Sequence, residues 1–282
     1  MPAKVGELAR AAGDAMMTTF NNRAFLVDHK ADQSPVTSAD QAAHNCIVSA
    51  LPALLDIPIL SEEGAQLDFA ERRHWARYWL IDPLDGTREF IQGRPEFTVN
   101  IALIEGGRPL LGAVYCPPEA RLYVGNQVRH WGPIGAFLCS GERWHLLSGG
   151  AFDSGRGVRL VTGHRQDSEQ QQQLMVALSA WRLPVVSERL GSSFKLCALA
   201  EGRFDFYPRL GPTNEWDIAA GQAVLEAAGG AVLNAETLQP LDYNQRETLL
   251  NPPFWALADW RRASREKWQQ LHDRLAVSYN PQ

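Results

Sequence analysis

An apolar run that ends in two carboxylates constrains this chain more than any other stretch: Trp79-Leu80-Ile81-Asp82-Pro83-Leu84-Asp85-Gly86-Thr87. Tyr78 to Ile81 are aromatic and aliphatic, which suits a buried strand, and Pro83 fixes φ where that strand is expected to end. Asp82 and Asp85 are then expected at the rim of a sheet rather than in its core. Neighbouring carboxylates raise each other's pKa unless a cation lies between them, and hard oxygen ligands favour Mg²⁺ or Mn²⁺. Gly86 lets the backbone approach a ligand closely, and Thr87 is placed to open a helix whose free N–H groups attract phosphate. A β-turn followed by an Asp-capped helix accounts for the same residues equally well. The alternating oxygen ligands and distant Glu of an EF-hand are absent.

Composition narrows what the motif can belong to. With 282 residues, 45% of them hydrophobic, and a net charge of −5, the chain has the make-up of a globular protein of one large domain or two lobes. The mildly acidic balance argues against a broad face for a nucleic-acid polymer, which needs clustered Lys and Arg. An anionic small molecule must instead be held by local charge. The N-terminal MPAKVGELARAAGDAMM has no apolar core of a signal peptide, and the apolar stretch from Leu51 to Leu60 is broken by Pro52, Asp56 and Pro58. Neither secretion nor a transmembrane segment is expected. Cys46, Cys116, Cys139 and Cys197 show no C-x-x-C spacing and no His at zinc-ligand distance, so they read as reduced thiols in a cytoplasmic protein.

Helical spacing of Val5, Leu8, Ala9, Ala12 and Met16, and of Ala42, Ala43, Ile47 and Ala50 after Ser38, predicts two leading helices. Phe97 to Ile104, the turn Glu105-Gly106-Gly107-Arg108 and Leu110 to Tyr115 predict a β-hairpin, with later strands at Arg121 to Val124 and Ala136 to Cys139. Residues 1–150 therefore read as an α+β lobe of helices on an antiparallel sheet. From Val158 onward strands and helices alternate, through Gln170 to Ala180, Pro184 to Val186, Phe194 to Ala200, Phe204 to Tyr207, Asp217 to Ala228 and Ala231 to Leu233. Residues 151–282 read as a mixed α/β lobe, with the Gly-rich segment Ser148 to Gly157 as the junction. A last helix carrying Trp260, Trp268, Leu271 and Leu275 is expected to pack on the body.

Two aspartates do not make a catalytic metal cage. Glu62 and Glu63 follow the apolar Ile57-Pro58-Ile59-Leu60 and fall at a second strand end; Asp217 opens a helix after a Pro- and Gly-bearing loop; Asp40 sits in a first helical turn. Each has a plainer explanation, as a solvated loop acid, a charge against the helix dipole, or the acidic partner of a Thr37 capping box.

Taken together, Ser34-Pro35-Val36-Thr37 with Asp40, Ser61-Glu62-Glu63, Asp82 to Thr87, and Trp216-Asp217 with Ala219-Ala220-Gly221 occur in an order and spacing that resembles the inositol monophosphatase superfamily of metal-dependent, lithium-sensitive phosphatases. Arg88-Glu89-Phe90, Glu96 to Leu103, Gly191-Ser192-Ser193-Phe194-Lys195, Tyr207-Pro208-Arg209 and Gly211-Pro212-Thr213-Asn214 look like its CysQ-type 3′(2′),5′-bisphosphate nucleotidases. The likeness spans about Ala9 to Pro252; a Gly- and Gln-rich stretch from about Ser148 to Gln173 and the Trp-rich tail depart from it.

The resemblance implies an αβαβα sandwich and a phosphatase that removes the 3′-phosphate of 3′-phosphoadenosine 5′-phosphate, a by-product of sulfate assimilation, leaving AMP. It implies Glu62, Asp82, Asp85 and Asp217 as ligands of two or three Mg²⁺ ions, for which Mn²⁺ could substitute, with the carbonyl of Leu84 completing one site. Asp40, Thr87 and Glu62 would orient and deprotonate the attacking water, and the N–H groups of Gly86 and Thr87 would hold the scissile phosphate. Lys195 and Arg209 would take the second phosphate, with Ser192 and His164 as further nucleotide contacts. Another phosphatase of the superfamily, acting on inositol monophosphate or a sugar bisphosphate, and a non-catalytic metal- and nucleotide-binding protein remain as alternatives. Monomer or homodimer, and peripheral contact with the inner membrane's cytoplasmic face, stay open.

Overall fold

The architecture follows from strands apolar on both faces, which need cover on both. In a computed structural model the described residues are all but 24, 30–34, 66, 154–155, 165–168, 181–183 and 280–282, so Ser34 of the first motif lies outside them. The N-terminal half runs α1 (Pro2–Asn22), β1 (Val27–His29), β2 (Pro35–Thr37), α2 (Ser38–Leu54), β3 (Ile59–Ser61), α3 (Phe69–Arg72), β4 (Arg77–Asp85) and α4 (Thr87–Ile91). It continues through β5 (Thr98–Glu105), β6 (Arg108–Cys116), β7 (Arg121–Asn126), β8 (Gly135–Ser140) and β9 (Arg143–Leu147). The C-terminal half runs β10 (Val158–Thr162), α5 (Glu169–Ala180), β11 (Val185–Arg189), α6 (Phe194–Ala200), β12 (Phe206–Arg209), α7 (Glu215–Ala227), β13 (Ala231–Asn234), β14 (Phe254–Leu257) and α8 (Arg262–Tyr279).

Strands β3 to β9 form a seven-stranded sheet in sequence order, and a five-stranded sheet is ordered β11-β10-β12-β14-β13. Along β4, Trp79 and Ile81 point into one apolar cluster with α1 and α2, while Tyr78 and Leu80 point into another with α6 and α7. The far face of α6 and α7 meets the smaller sheet through Val232, Phe254 and Ala256, and that sheet's outer face is covered by Leu174 and Leu178 of α5 and by Trp268 and Leu271 of α8. The result is five layers, αβαβα, as the resemblance implied. Trp268 is fully buried against Phe152 and Phe206, so the last helix does pack on the body.

Three expectations need correction. The N-terminal sheet is not wholly antiparallel, because β3 runs parallel to β4, with Ile59 opposite Trp79 and Ser61 opposite Ile81. Nor does the strand end at Pro83: β4 continues to Asp85, with a register shift against β5 between Asp82 and Asp85. A bulge frees that edge of its ladder bonds, so a proline without an N–H is tolerated. Asp82 is accordingly buried, not at an open rim. Strands β9 and β14 were not anticipated. The four residues Phe254–Leu257 are all buried and show no alternation, because β14 lies inside the smaller sheet between β12 and β13.

Helix α7 lies directly on the large sheet. A Cβ at Gly112 or Gly125 would sit 2.3 and 2.4 Å from the carbonyl oxygens of Ala220 and Ala223, so both strands must offer bare backbone there. That contact carries the N-terminus of α7, and Asp217 with it, to the end of the sheet where β4 delivers its acids.

Candidate functional site

Register explains how distant acids converge. Ser61 pairs with Ile81 in the parallel β3–β4 ladder, and the N–H of Glu62 donates to the Ile81 carbonyl at 3.2 Å, so the next residues, Glu62 and Asp82, emerge side by side. Asp217 arrives from the first turn of α7, where its Oδ2 accepts from the N–H of Asn214 at 2.9 Å in a capping box. Carboxylate oxygens of Glu62, Asp82 and Asp217 all lie within 4.8 Å of one another. Asp82 Oδ1 accepts from the Leu84 N–H at 3.1 Å, whereas its Oδ2 is buried with no hydrogen-bond partner among the described residues.

Such an arrangement is electrostatically unfavourable by itself. Burial, then Glu62, Asp85 and Asp217, hold the Asp82 carboxyl well above the ordinary carboxylate range, and burial followed by Asp85 and Glu62 does the same to Asp217. An all-oxygen donor set, an orphaned buried carboxylate oxygen and mutual repulsion fit a hard divalent cation.

Asp85 stands apart from this trio. Its Oδ2 accepts from the Ser193 N–H and it faces the Lys195 ammonium; burial pushes its pKa up to about 6, against the lowering pull of those two groups. The Lys195 side chain is buried across the Tyr207 ring, 5.4 Å from its centroid, and donates to the carbonyls of Leu190 and Ser192 at 3.3 and 2.6 Å. Burial pulls its pKa down to about 8 despite Asp85.

Asp40 does two things at once. Its Oδ2 accepts from the N–H and Oγ1 of Thr37 at 2.8 and 2.6 Å, which is the capping box of α2, while its Oδ1 accepts from Thr87 Oγ1 at 3.2 Å. The Thr87 hydroxyl also reaches the Leu84 carbonyl at 3.2 Å. Burial raises the Asp40 pKa above its ordinary value. Gly86, at φ 94°, turns the chain from β4 into α4, and a Cβ there would lie 2.8 Å from the Glu96 carbonyl oxygen.

One cavity of about 530 Å³ brings these residues together. Glu62, Asp82, Leu84, Asp85, Gly86, Thr87 and Asp217 line it with His164, Ser192, Lys195 and Arg209; Asp40 stands behind Thr87, outside the lining. Arg209 is held against its own loop, donating from Nε to the Gly211 carbonyl at 3.1 Å and from a terminal nitrogen to that of Pro212 at 2.6 Å. His164 Nε2 lies 2.6 Å from Glu96 Oε2. Glu96, Thr98, Asn100 and Ser193 carry no functional signal of their own in the sequence, although 96, 98 and 100 alternate on one side of the chain leading into a predicted strand.

Comparisons with known proteins agree with this geometry. A profile of the inositol monophosphatase family matches residues 3–270. The chain is 43% identical over 253 residues to the 3′(2′),5′-bisphosphate nucleotidase CysQ of Escherichia coli K12, covering 89% of this chain and 97% of that protein. It is 34% identical over 247 residues to the protein of the same name from Haemophilus influenzae, covering 86% and 88%. Among solved structures, CysQ from Bacteroides thetaiotaomicron, a bacterial member of the inositol monophosphatase family, superposes with a TM-score of 0.76 at 36% identity, covering 89% and 94%. A Thermotoga maritima IMPase shares the fold at a TM-score of 0.75 and 24% identity, over 99% and 98% of the two chains.

Proposed function

Because the chain belongs to the inositol monophosphatase family, we propose that it is a 3′(2′),5′-bisphosphate nucleotidase that hydrolyses the 3′-phosphate of 3′-phosphoadenosine 5′-phosphate, giving AMP and phosphate. The observation that carries this reading is one cavity holding both the Glu62, Asp82 and Asp217 carboxylates and the cationic Lys195 and Arg209. A bisphosphate needs two kinds of recognition, a metal-assisted one for the phosphate that leaves and a cationic one for the phosphate that stays.

Glu62, Asp82, Asp85, Asp217 and the Leu84 carbonyl would hold Mg²⁺, in two or three ions, with Mn²⁺ as a substitute. A divalent ion bound there would supply Lewis-acid polarisation of the phosphoryl oxygens, a lowered pKa for a bound water and charge to offset the leaving alkoxide. The N–H groups of Gly86 and Thr87, at the N-terminal end of α4 where no intrahelical acceptor is offered, would hold the scissile phosphate. The single Thr87 hydroxyl hydrogen has two acceptors at 3.2 Å, Asp40 Oδ1 and the Leu84 carbonyl; turned to Asp40, it leaves the oxygen lone pairs to take a proton from the attacking water. Asp40, made more basic by burial and held in place by Thr37, receives the Thr87 proton in turn. Glu62 orients the same water, and attack is in line on phosphorus without a phospho-enzyme. Residues 1–150 thus bring most of the acids, and residues 151–282 bring Asp217 with the groups for the nucleotide, His164, Ser192, Lys195 and Arg209. Among the described residues no helix is long and apolar enough to cross a membrane.

A phosphate-release panel tests the reading. Turnover of 3′-phosphoadenosine 5′-phosphate should exceed that of inositol 1-phosphate and fructose 1,6-bisphosphate and should vanish with a chelator. Preference for inositol 1-phosphate would overturn the nucleotidase reading, and undiminished turnover without divalent metal would overturn the metal chemistry.

A further inference from the structure

Glu96 precedes β5 and does not line the cavity, yet it touches two segments that do. Its Oε2 accepts from the Gly191 N–H at 2.5 Å and lies 2.6 Å from His164 Nε2, joining the loop after β11 to the loop after β10. A carboxylate only accepts, so in this contact His164 carries a proton on Nε2.

Two more side chains on the same face continue the pattern. Thr98 Oγ1 lies 2.8 Å from Ser193 Oγ, and Ser193 Oγ donates to Asn100 Oδ1 at 2.7 Å. Thr98 and Asn100 are 0% and 1% exposed, so neither is a surface contact that water could replace. Positions 96, 98 and 100 therefore act as a comb that grips Gly191 and Ser193, the latter two residues before Lys195. The fit at its first tooth is close: a Cβ on Gly191 would stand 2.8 Å from Glu96 Cβ and 2.9 Å from both Glu96 O and Oε2.

We propose that Glu96 is a positioning residue for nucleotide recognition: it sets His164 and the 191–195 segment as one wall, and so fixes where the phosphate that is not cleaved is held. This rests on the nucleotidase reading above. Glu96 lies two residues before β5, whose Thr98 pairs with Asp85 of β4, so the wall is indexed to the strand that supplies Asp82 and Asp85 rather than to its own loops. Losing that index should weaken binding of the bisphosphate while leaving the water-activating groups, Asp40 and Thr87, as they are.

The test is steady-state kinetics of Glu96→Ala and Glu96→Gln on 3′-phosphoadenosine 5′-phosphate and on adenosine 3′-phosphate, which lacks the second phosphate, with thermal unfolding alongside. Glu96→Ala should raise KM for the bisphosphate tenfold or more with kcat within threefold, leave kcat/KM for the monophosphate within threefold, and leave the Mg²⁺ concentration for half-maximal rate unchanged. Glu96→Gln, which keeps an acceptor for Gly191, should recover most of the KM. Gly191→Ala should repeat the Glu96→Ala signature. An unchanged bisphosphate KM, an equal loss on both substrates, or a fall in kcat together with Mg²⁺ affinity would each overturn the positioning role. If Glu96→Ala does not fold, Glu96→Asp, whose shorter side chain withdraws the acceptor from Gly191 and His164, decides: a bisphosphate KM equal to the parent's refutes the positioning role. A parent that fails to turn over the bisphosphate overturns the nucleotidase reading, and the positioning role with it.

Discussion

Replacing Asp82 with Asn should stabilise the metal-free protein while destroying its response to metal. Carboxylate oxygens of Glu62, Asp82 and Asp217 within 4.8 Å repel by about 3 kcal/mol per ionised pair at an effective dielectric near 20. Asp82 takes part in two such pairs. The cost cannot exceed what it takes to keep a carboxyl protonated, about 4 kcal/mol at about pH 7 for a group of ordinary pKa. Relief of roughly 2–4 kcal/mol follows, or about 4–8 °C in Tm for a chain of this size. The substitution is nearly isosteric: Asn Oδ1 keeps the Leu84 N–H, and its Nδ2 puts a donor where Asp82 Oδ2 has no partner. The sign with pH is fixed. Both Asp82 and Asp217 have raised pKa values, so the folded state retains protons that the unfolded chain has released, and metal-free stability falls as pH rises from the ordinary carboxylate range through the raised values. The gain from Asn should therefore be small near about pH 4 and grow toward about pH 8. Differential scanning calorimetry with chelator and with saturating Mg²⁺ reads both effects. The parent should gain about 2.7 kcal/mol at a hundredfold excess over Kd, and the variant little, so that the gap between them closes by about that amount. A variant less stable than the parent in chelator at neutral pH, or an equal Mg²⁺ shift in both, would refute the cluster as a metal site.

Four further outcomes follow from the same geometry. Asp217→Asn should cut Mg²⁺-dependent phosphate release by on the order of a thousandfold, and near-parental release would sink its assignment as a ligand. Lys195 is protonated below its pKa of about 8, so KM for the bisphosphate should rise as pH climbs through that value, and Lys195→Met should show a high KM without that break. Gly86→Ala forces a Cβ into the left-handed region against the Glu96 carbonyl and should cost about 1–3 kcal/mol by denaturant unfolding, with turnover lost. Trp268→Ala, at a site with no solvent exposure between Phe152 and Phe206, should cost about 3–5 kcal/mol by the same measurement if the last helix is integral to the body.

Local chemistry is legible in the sequence: the two leading helices follow from period-3.6 apolar spacing, the β5–β6 hairpin from its turn, and the family from four short motifs read together. Those signals are properties of neighbouring residues, so the chain order carries them in full. Strand β14 was invisible because a four-residue strand covered on both faces has no alternation to reveal it, and Pro83 misled because a bulge relieves the hydrogen bond that a proline would otherwise forfeit. The residue types able to bind metal and phosphate could likewise be named from sequence, but not their company. Only the parallel register of β3 on β4 sets Glu62 beside Asp82, and only the close seating of α7 on Gly112 and Gly125 delivers Asp217 to them. The grip of Glu96, Thr98 and Asn100 on residues 191–193 joins positions more than ninety apart in the chain. Proximity across such separations is set by packing of whole layers, and a sequence read along its length holds no measure of it.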